Sequence, residues 1–130
     1  MKNSKPIVKG LKKPKRKIKA PKLHEKTPVP INYEAAKALY NTPVYRAWRE
    51  YCFERDLFTC QMCGSQGVAL ECHHVKPKRV FPELVLDRNN GITLCKHCHQ
   101  KIVTGREDKF VYIFTRIIRL NTRRLEIAGG

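Results

Sequence analysis

The sequence predicts a small α+β domain that is stabilised by a four-cysteine zinc site and preceded by a disordered basic tail. Three observations predict it: two Cys-x-x-Cys pairs, two short strand-like segments near them, and apolar residues at helical spacing on both sides. The chain has 130 residues, which suits one domain plus a tail. We expect the tail at residues 1–30 and the domain at residues 31–130, with its motif core at about 58–103.

The net charge of +16 is concentrated in the tail, where eleven Lys and Arg residues stand against one acid, Glu25. Such a surplus favours a phosphate backbone as partner, because each basic contact releases condensed counterions. A solvated tail that only keeps the protein soluble is the alternative. The tail also contains a basic run that is typical of both a nuclear import signal and a DNA-binding arm: Lys12, Lys13, Lys15, Arg16 and Lys17.

Two helices are predicted at the start of the domain. The first covers residues 33–40 with Asn32 as its N-cap, and the second begins after Thr42, has Pro43 in its first turn and runs to about Asp56. The second helix has one apolar face, made by Val44, Ala47, Trp48, Tyr51 and Cys52. Three arginines fall largely off this face and are either DNA contacts or solvated side chains: Arg46, Arg49 and Arg55.

The rest of the domain is predicted to contain a turn, a hairpin and two further helices. Residues 60–67 form the turn, residues 68–75 and 91–94 the strands, and residues 76–90 a long loop between them. Residues 95 to about 103 form a short helix. Apolar residues at 110, 113, 114, 117 and 118 predict a closing helix over 107–120, although its β-branched residues also suit a strand.

Four of the six cysteines form the two pairs: Cys60 with Cys63, and Cys95 with Cys98. Each spacing lets both thiolates face one ion, and four thiolates give Zn²⁺ a closed tetrahedral shell, as in a structural site. Disulfides are the alternative, but six cysteines without an export signal favour metal ligands in a reducing compartment. We expect Cys52 and Cys72 to be buried or half-buried thiols.

Histidine and asparagine residues beside the cysteines form a more specific pattern, in the stretches 60–64, 70–77 and 90–101. His73 and His74 are adjacent, Asn90 lies five positions before the third cysteine, and His99 directly follows the fourth. In this pattern the sequence resembles the HNH endonuclease family over residues 44–103, in the form found in small phage nucleases. The resemblance implies a ββα-metal (His-Me finger) core, which is a two-stranded hairpin followed by a helix.

The resemblance implies that His73 and His99 bind a catalytic divalent ion, that His74 is the general base, and that Asn90 braces the loop between the strands. Neighbouring side chains on a strand point to opposite faces, so a bend near Val75 is needed to bring both rings of the pair to one phosphate. Many family members have Asp at the first position of the pair; a histidine there leaves Mg²⁺, Mn²⁺, Ni²⁺ and Zn²⁺ as candidates. Asn90 could equally belong to a simple Asn-Asn-Gly turn.

Three basic residues follow the histidine pair and are predicted to contact phosphates, unless they belong only to an exposed loop: Lys76, Lys78 and Arg79. We interpret His97 and His24 as incidental. The function expected from the resemblance is that of a metal-dependent DNA endonuclease, which nicks or cuts DNA and leaves 5′-phosphate and 3′-hydroxyl ends. The alternative is a non-catalytic zinc-ribbon module that binds nucleic acid. A protein-interaction adaptor would explain neither the charge nor the histidines.

The expected partner is DNA, and the resemblance to phage nucleases adds phage packaging or terminase proteins as candidates. No run of eighteen apolar residues occurs, so no membrane partner is expected. No apolar segment typical of a signal peptide follows the first lysines. We therefore expect the protein in the cytoplasm, which would be the host cell cytoplasm if a phage encodes it.

Overall fold

The computed structural model describes residues 28–129. The basic run of the tail and His24 lie outside the described residues, so the tail boundary at residue 30 and the binding role of that run stay predictions; the run is Lys12, Lys13, Lys15, Arg16 and Lys17. Within residues 28–129, no helix combines the length and the apolar character needed to cross a membrane.

Two helices open the domain, as predicted: α1 covers Tyr33–Lys37 and α2 covers Pro43–Arg55. Their N-caps are confirmed, since the Asn32 side chain accepts a hydrogen bond from the Ala35 amide and the Thr42 hydroxyl accepts one from the Tyr45 amide. Helix α2 buries Trp48 and Cys52 in an apolar cluster with α1 and the loop between the strands. This cluster consists of Ala36, Trp48, Cys52, Val85 and Leu86.

Arg55 lies inside the protein, so its prediction as a DNA contact or solvated side chain is wrong. Its side chain is fully buried and its Nε atom lies 2.8 Å from the carboxylate of Asp56. It also donates hydrogen bonds to the backbone carbonyls of Arg88 and Gly91, at 2.9 and 2.6 Å. The carboxylate and the two carbonyls satisfy the guanidinium, which makes its burial tolerable.

The two strands are β1 at Leu70–His74 and β2 at Gly91–Cys95, and they form an antiparallel hairpin. The register pairs Leu70 with Cys95 and His74 with Gly91. A Cβ atom at Gly91 would lie 2.5 Å from the Trp48 ring, so only glycine allows the hairpin to approach α2 this closely. The hairpin therefore ends with His74 directly beside α2.

The chain after β2 folds into a π-helical segment at Cys98–Val103, a 3₁₀ turn at Glu107–Phe110 and the helix α3 at Val111–Gly129. The predicted closing helix is confirmed and is longer than expected. Phe114 and Ile118 are its buried residues. Ile113, which was predicted on the same apolar face, is 46% exposed because α3 buries only a narrow stripe.

The hairpin lies between two apolar clusters, which explains how so small a sheet is stable. Ile92 and Leu94 of β2 pack with Phe114 and Ile118 of α3. On the other face, the Thr93 hydroxyl donates to the Cys52 carbonyl of α2 at 3.2 Å. This alternation follows the two-residue period of a strand and fixes the positions of the histidines at the end of β1.

Candidate metal centres and active site

The two cysteine pairs meet at one end of the hairpin, as predicted. The four Sγ atoms all lie within 4.8 Å of one another. Cys63 Sγ and Cys95 Sγ are 3.8 Å apart, which equals the edge of about 3.8 Å expected for a tetrahedron with Zn–S bonds of about 2.3 Å. The cluster fits a structural zinc ion: Cys60, Cys63, Cys95 and Cys98.

Backbone and side-chain donors face the sulfur atoms of this knuckle. The amides of Met62 and Cys98 point at the sulfurs of Cys60 and Cys95, at 3.4 and 3.3 Å. The Ser65 hydroxyl lies 2.6 Å from Cys63 Sγ and lowers the pKa of that thiol to about 6. Donors of this kind stabilise thiolates, the form of cysteine that binds a metal.

Cys52 and Cys72, the two remaining cysteines, are buried and half-buried as predicted. Cys52 belongs to the cluster beside α2 and Cys72 packs against it. Burial raises the pKa of the Cys72 thiol well above its usual range.

His73 and His99 lie together on the face of the hairpin that packs against α3. Their ring centroids are 5.0 Å apart, and the His73 ring also contacts Phe114. His73 is 5% exposed, and its Nε2 atom is buried without a hydrogen-bond partner. Burial, followed by the neighbouring histidines, lowers the pKa of His73 to about 3, so the ring is neutral at pH 7.

The His99 ring is oriented by a carboxylate that sequence reasoning missed. Its Nδ1 donates to Glu71 Oε1 at 2.5 Å, which leaves Nε2 as the nitrogen free to bind an ion. Glu71 also accepts a hydrogen bond from the side-chain amide of Gln100. The sequence could have indicated this carboxylate, because Glu71 lies two positions before His73 on a strand and therefore on the same face of the hairpin.

His74 points to the opposite face of β1, as the strand period predicts. Its ring stacks on Trp48, with the centroids 4.5 Å apart and the planes 15° apart. His74 Nε2 lies 2.9 Å from the Val85 carbonyl. Since a carbonyl only accepts, Nε2 carries the proton and Nδ1 has the free lone pair. Burial lowers the pKa of His74 to about 4, although the hydrogen bond to Val85 opposes this shift.

The chain bends directly after His74, at Val75 and Lys76, where the sequence required a bend. Asn90 holds this bend: its Oδ1 accepts from the Lys76 amide at 2.8 Å, and its Nδ2 donates to the carbonyls of Lys76 and Leu84, both at 3.2 Å. Asn90 is 4% exposed. Its side chain thus ties both ends of the loop between the strands, which a simple turn asparagine would not do.

The bend brings all three histidines to one open cavity of about 380 Å³. Its walls come from the hairpin, the loop, the start of the domain and the turn before α3. The lining residues are Tyr33, Tyr45, Cys72, His73, His74, Pro77, Lys78, Arg79, His99 and Glu107.

Of the six basic residues that the sequence analysis offers as DNA contacts within residues 28–129, two line the cavity and Arg55 is buried. Lys78 lies over the Tyr40 ring and Arg79 over the Tyr33 ring, at 5.6 and 4.5 Å from the centroids. Three others lie elsewhere on the surface: Lys76 and Arg46 are exposed, and Arg49 is half-buried over Phe53. His97, which was interpreted as incidental, is exposed.

Glu107 was missed by the sequence analysis, because nothing in its neighbourhood resembles a known motif. Its Oε1 accepts from the Gly105 amide at 3.1 Å. Its own backbone amide lowers the pKa of its carboxyl most, and Gly105, His73 and His99 contribute to the same shift. Tyr33 and Tyr45 were also missed as wall residues, since helical spacing does not show which distant segment a side chain faces.

The hairpin, the following helical segment and the cysteine cluster together define an α+β, zinc-knuckle ββα domain. Residues 60–104 match the family model described as HNH endonuclease, in agreement with the resemblance that the motifs indicated. The matched range contains the knuckle, the hairpin, Asn90 and His99 but ends before Glu107 and α3. No curated protein and no solved structure matches the chain.

Proposed function

We propose that this protein is a metal-dependent DNA endonuclease, which hydrolyses a phosphodiester bond with water activated by His74. The observation that carries the proposal is that His73, His74 and His99 line one cavity, away from the four sulfur ligands of the zinc knuckle. A structural zinc needs none of these histidines. Their convergence therefore supports a second centre with a chemical role.

The environment of His74 suits a general base. The Val85 carbonyl fixes the tautomer, and the Trp48 ring fixes the plane of the imidazole. Because the ring is neutral at pH 7, its Nδ1 lone pair is available to take a proton from water. We assign the nucleophilic water to this nitrogen.

The residues near His73 fit a divalent ion. A buried ring nitrogen without a partner, such as His73 Nε2, is costly unless a ligand satisfies it. His99 offers a second nitrogen, held in place by Glu71. An ion bound by these two histidines would supply charge stabilisation for the phosphate oxygens and the leaving 3′-oxygen. The predicted candidates remain Mg²⁺, Mn²⁺, Ni²⁺ and Zn²⁺.

The basic residues on the cavity wall suit a phosphate backbone. Lys78 and Arg79 stand beside the histidines, so they are placed to contact the phosphates next to the cleaved bond. The remaining basic residues are proposed to extend the DNA contact beyond the cavity: Lys76, Arg46, Arg49 and the basic run of the tail. Products with 5′-phosphate and 3′-hydroxyl ends, and packaging or terminase proteins as partners, rest on the family resemblance alone.

A non-catalytic zinc-ribbon module is the competing function. The cysteine knuckle and the positive charge suit it equally well. It does not account for a histidine with a fixed tautomer stacked on a buried tryptophan, nor for the unpartnered nitrogen of His73.

Plasmid nicking by the full chain tests the proposal. The wild-type protein, His74→Ala and the control His97→Ala are each incubated with supercoiled DNA and Mg²⁺, Mn²⁺ or Ni²⁺. We expect the wild type and the control to nick, and His74→Ala to be slower by about a hundredfold or more, as for loss of a general base. His97 is the matched control because it is a nearby exposed histidine.

Zinc content is measured for every variant, because loss of the structural zinc would also abolish nicking. A variant that keeps its zinc but nicks slowly has lost a catalytic group. Equal nicking by His74→Ala and the wild type would remove His74 as the base. DNA binding without nicking under any of the three ions would favour the zinc-ribbon module.

A further inference from the structure

Glu107 is the one carboxylate among the residues that line the histidine cavity, counting only the part of the chain that the structure describes. It lies outside the segment that matches the HNH model. Glu71, the other nearby acid, already accepts bonds from His99 and Gln100. A second acidic group, which neither His99 nor Gln100 engages, therefore lines the same cavity as the two proposed ion ligands.

The turn before α3 places Glu107 in a fixed relation to His99. The amide and the hydroxyl of Thr104 both donate to the His99 carbonyl, at 3.0 and 2.8 Å. Gly105 has a φ of 87°, a conformation that favours glycine. Its amide then donates to Oε1 of Glu107 at 3.1 Å, which fixes the carboxylate at the edge of the cavity.

The charges around the cavity show why such a group is needed. Imidazole ligands supply no negative charge, and Lys78 and Arg79, which also line the cavity, repel a cation. The unpartnered Nε2 of His73, in a residue that is 5% exposed, points independently to a ligand at this position. A carboxylate that lines the cavity together with the two histidines offsets both the charge of the ion and the repulsion from the basic residues.

We propose that Glu107 is the acidic group of this ion centre and holds one of the water ligands of the ion. This inference rests on the proposed function of the site. Among residues 28–129, only the four cysteines bring three or more potential ligand atoms within 4.8 Å of one another. The carboxylate therefore reaches the ion across a coordinated water. This arrangement favours ions that keep several waters, such as Mg²⁺ and Mn²⁺, over ions that imidazoles bind strongly, such as Ni²⁺.

The test measures ion binding rather than cleavage. Mn²⁺ and Ni²⁺ are titrated into the full-length, zinc-loaded protein without DNA, with electron paramagnetic resonance of free Mn²⁺ and calorimetry for Ni²⁺. Glu107→Gln keeps an oxygen for the Gly105 amide but removes the charge. We expect it to weaken Mn²⁺ binding about tenfold or more, a typical effect for an outer-sphere partner of a metal site, and Ni²⁺ binding much less.

Two further variants separate a failure of the role of Glu107 from a failure of the ion centre itself. Asp108→Asn, which removes an exposed neighbouring charge, should leave both affinities unchanged, and His99→Ala should weaken both. If His99→Ala weakens binding but Glu107→Gln retains the wild-type Mn²⁺ affinity, or weakens Mn²⁺ and Ni²⁺ equally, the role of Glu107 is overturned and the proposed function survives. If the wild type binds neither ion, the ion centre and the role of Glu107 both fail.

Discussion

Replacing Asn90 with alanine should loosen the loop that shapes the histidine cavity. The substitution removes one acceptor for the Lys76 amide and two donors, to the carbonyls of Lys76 and Leu84. Each hydrogen bond contributes about 1 kcal/mol net, and solvent can partly replace those at the exposed Lys76. The expected loss in the free energy of unfolding is therefore about 2–3 kcal/mol.

Urea and thermal denaturation of the zinc-loaded protein measure this loss. For a domain of this size, 1 kcal/mol corresponds to about 4–8 °C in Tm, so a fall of about 10 °C or more is expected. Asn90→Asp retains the acceptor but turns an oxygen toward two carbonyls, and should be at least as destabilising. The matched control is Asn89→Ala, since Asn89 is exposed and only its backbone amide is bonded, to Asp87; its effect should stay within about 0.5 kcal/mol.

The reasoning fails if Asn90→Ala unfolds within 0.5 kcal/mol of the wild type, because the three bonds would then contribute nothing measurable. All variants should retain their zinc, since Asn90 lies at the opposite end of β2 from Cys95. A variant that lost its zinc would show that the knuckle and the loop are one cooperative unit, and the estimate from the three bonds would no longer apply.

Three further substitutions test the scaffold. Arg55→Met should cost about 3–5 kcal/mol in urea denaturation, because it leaves the fully buried Asp56 carboxylate without its ion pair; a loss under 1 kcal/mol would contradict the structure. Gly91→Ala should lower the stability by about 1–3 kcal/mol, since the new Cβ meets the Trp48 ring at 2.5 Å, and an unchanged Tm would refute that contact. Cys98→Ser should abolish tight zinc binding and the native circular dichroism spectrum, whereas a folded, zinc-free protein would show that the metal is dispensable.

Local features of the fold were predictable because their causes lie within a few residues. The Asn32 and Thr42 caps act on amides three positions away. The cysteine spacing determines that each pair can face one ion. The period of a strand predicted that His73 and His74 would diverge, and the bend after them was inferred from that divergence.

Other features depended on contacts between distant residues and could not be predicted in this way. Arg55 has the spacing of a surface residue, but two of its partners are carbonyls 33 and 36 positions away in the chain. Ile113 has the spacing of a buried residue, yet α3 covers only part of its apolar side. Glu107 belongs to no recognisable pattern, and only the turn after His99 brings it to the cavity.

The sequence by itself determined the kinds of groups that this protein has: four thiolates at zinc spacing, three histidines and an asparagine in register with them, and a large excess of positive charge. Only the tertiary structure decided how these groups are used. The tertiary structure determined that His74 has its free lone pair on Nδ1 and that Glu71 orients His99. It also placed Glu107 in the wall of the histidine cavity. The physical reason is that residue type and spacing set what a side chain can do, whereas its orientation, protonation and burial depend on neighbours that only folding brings together.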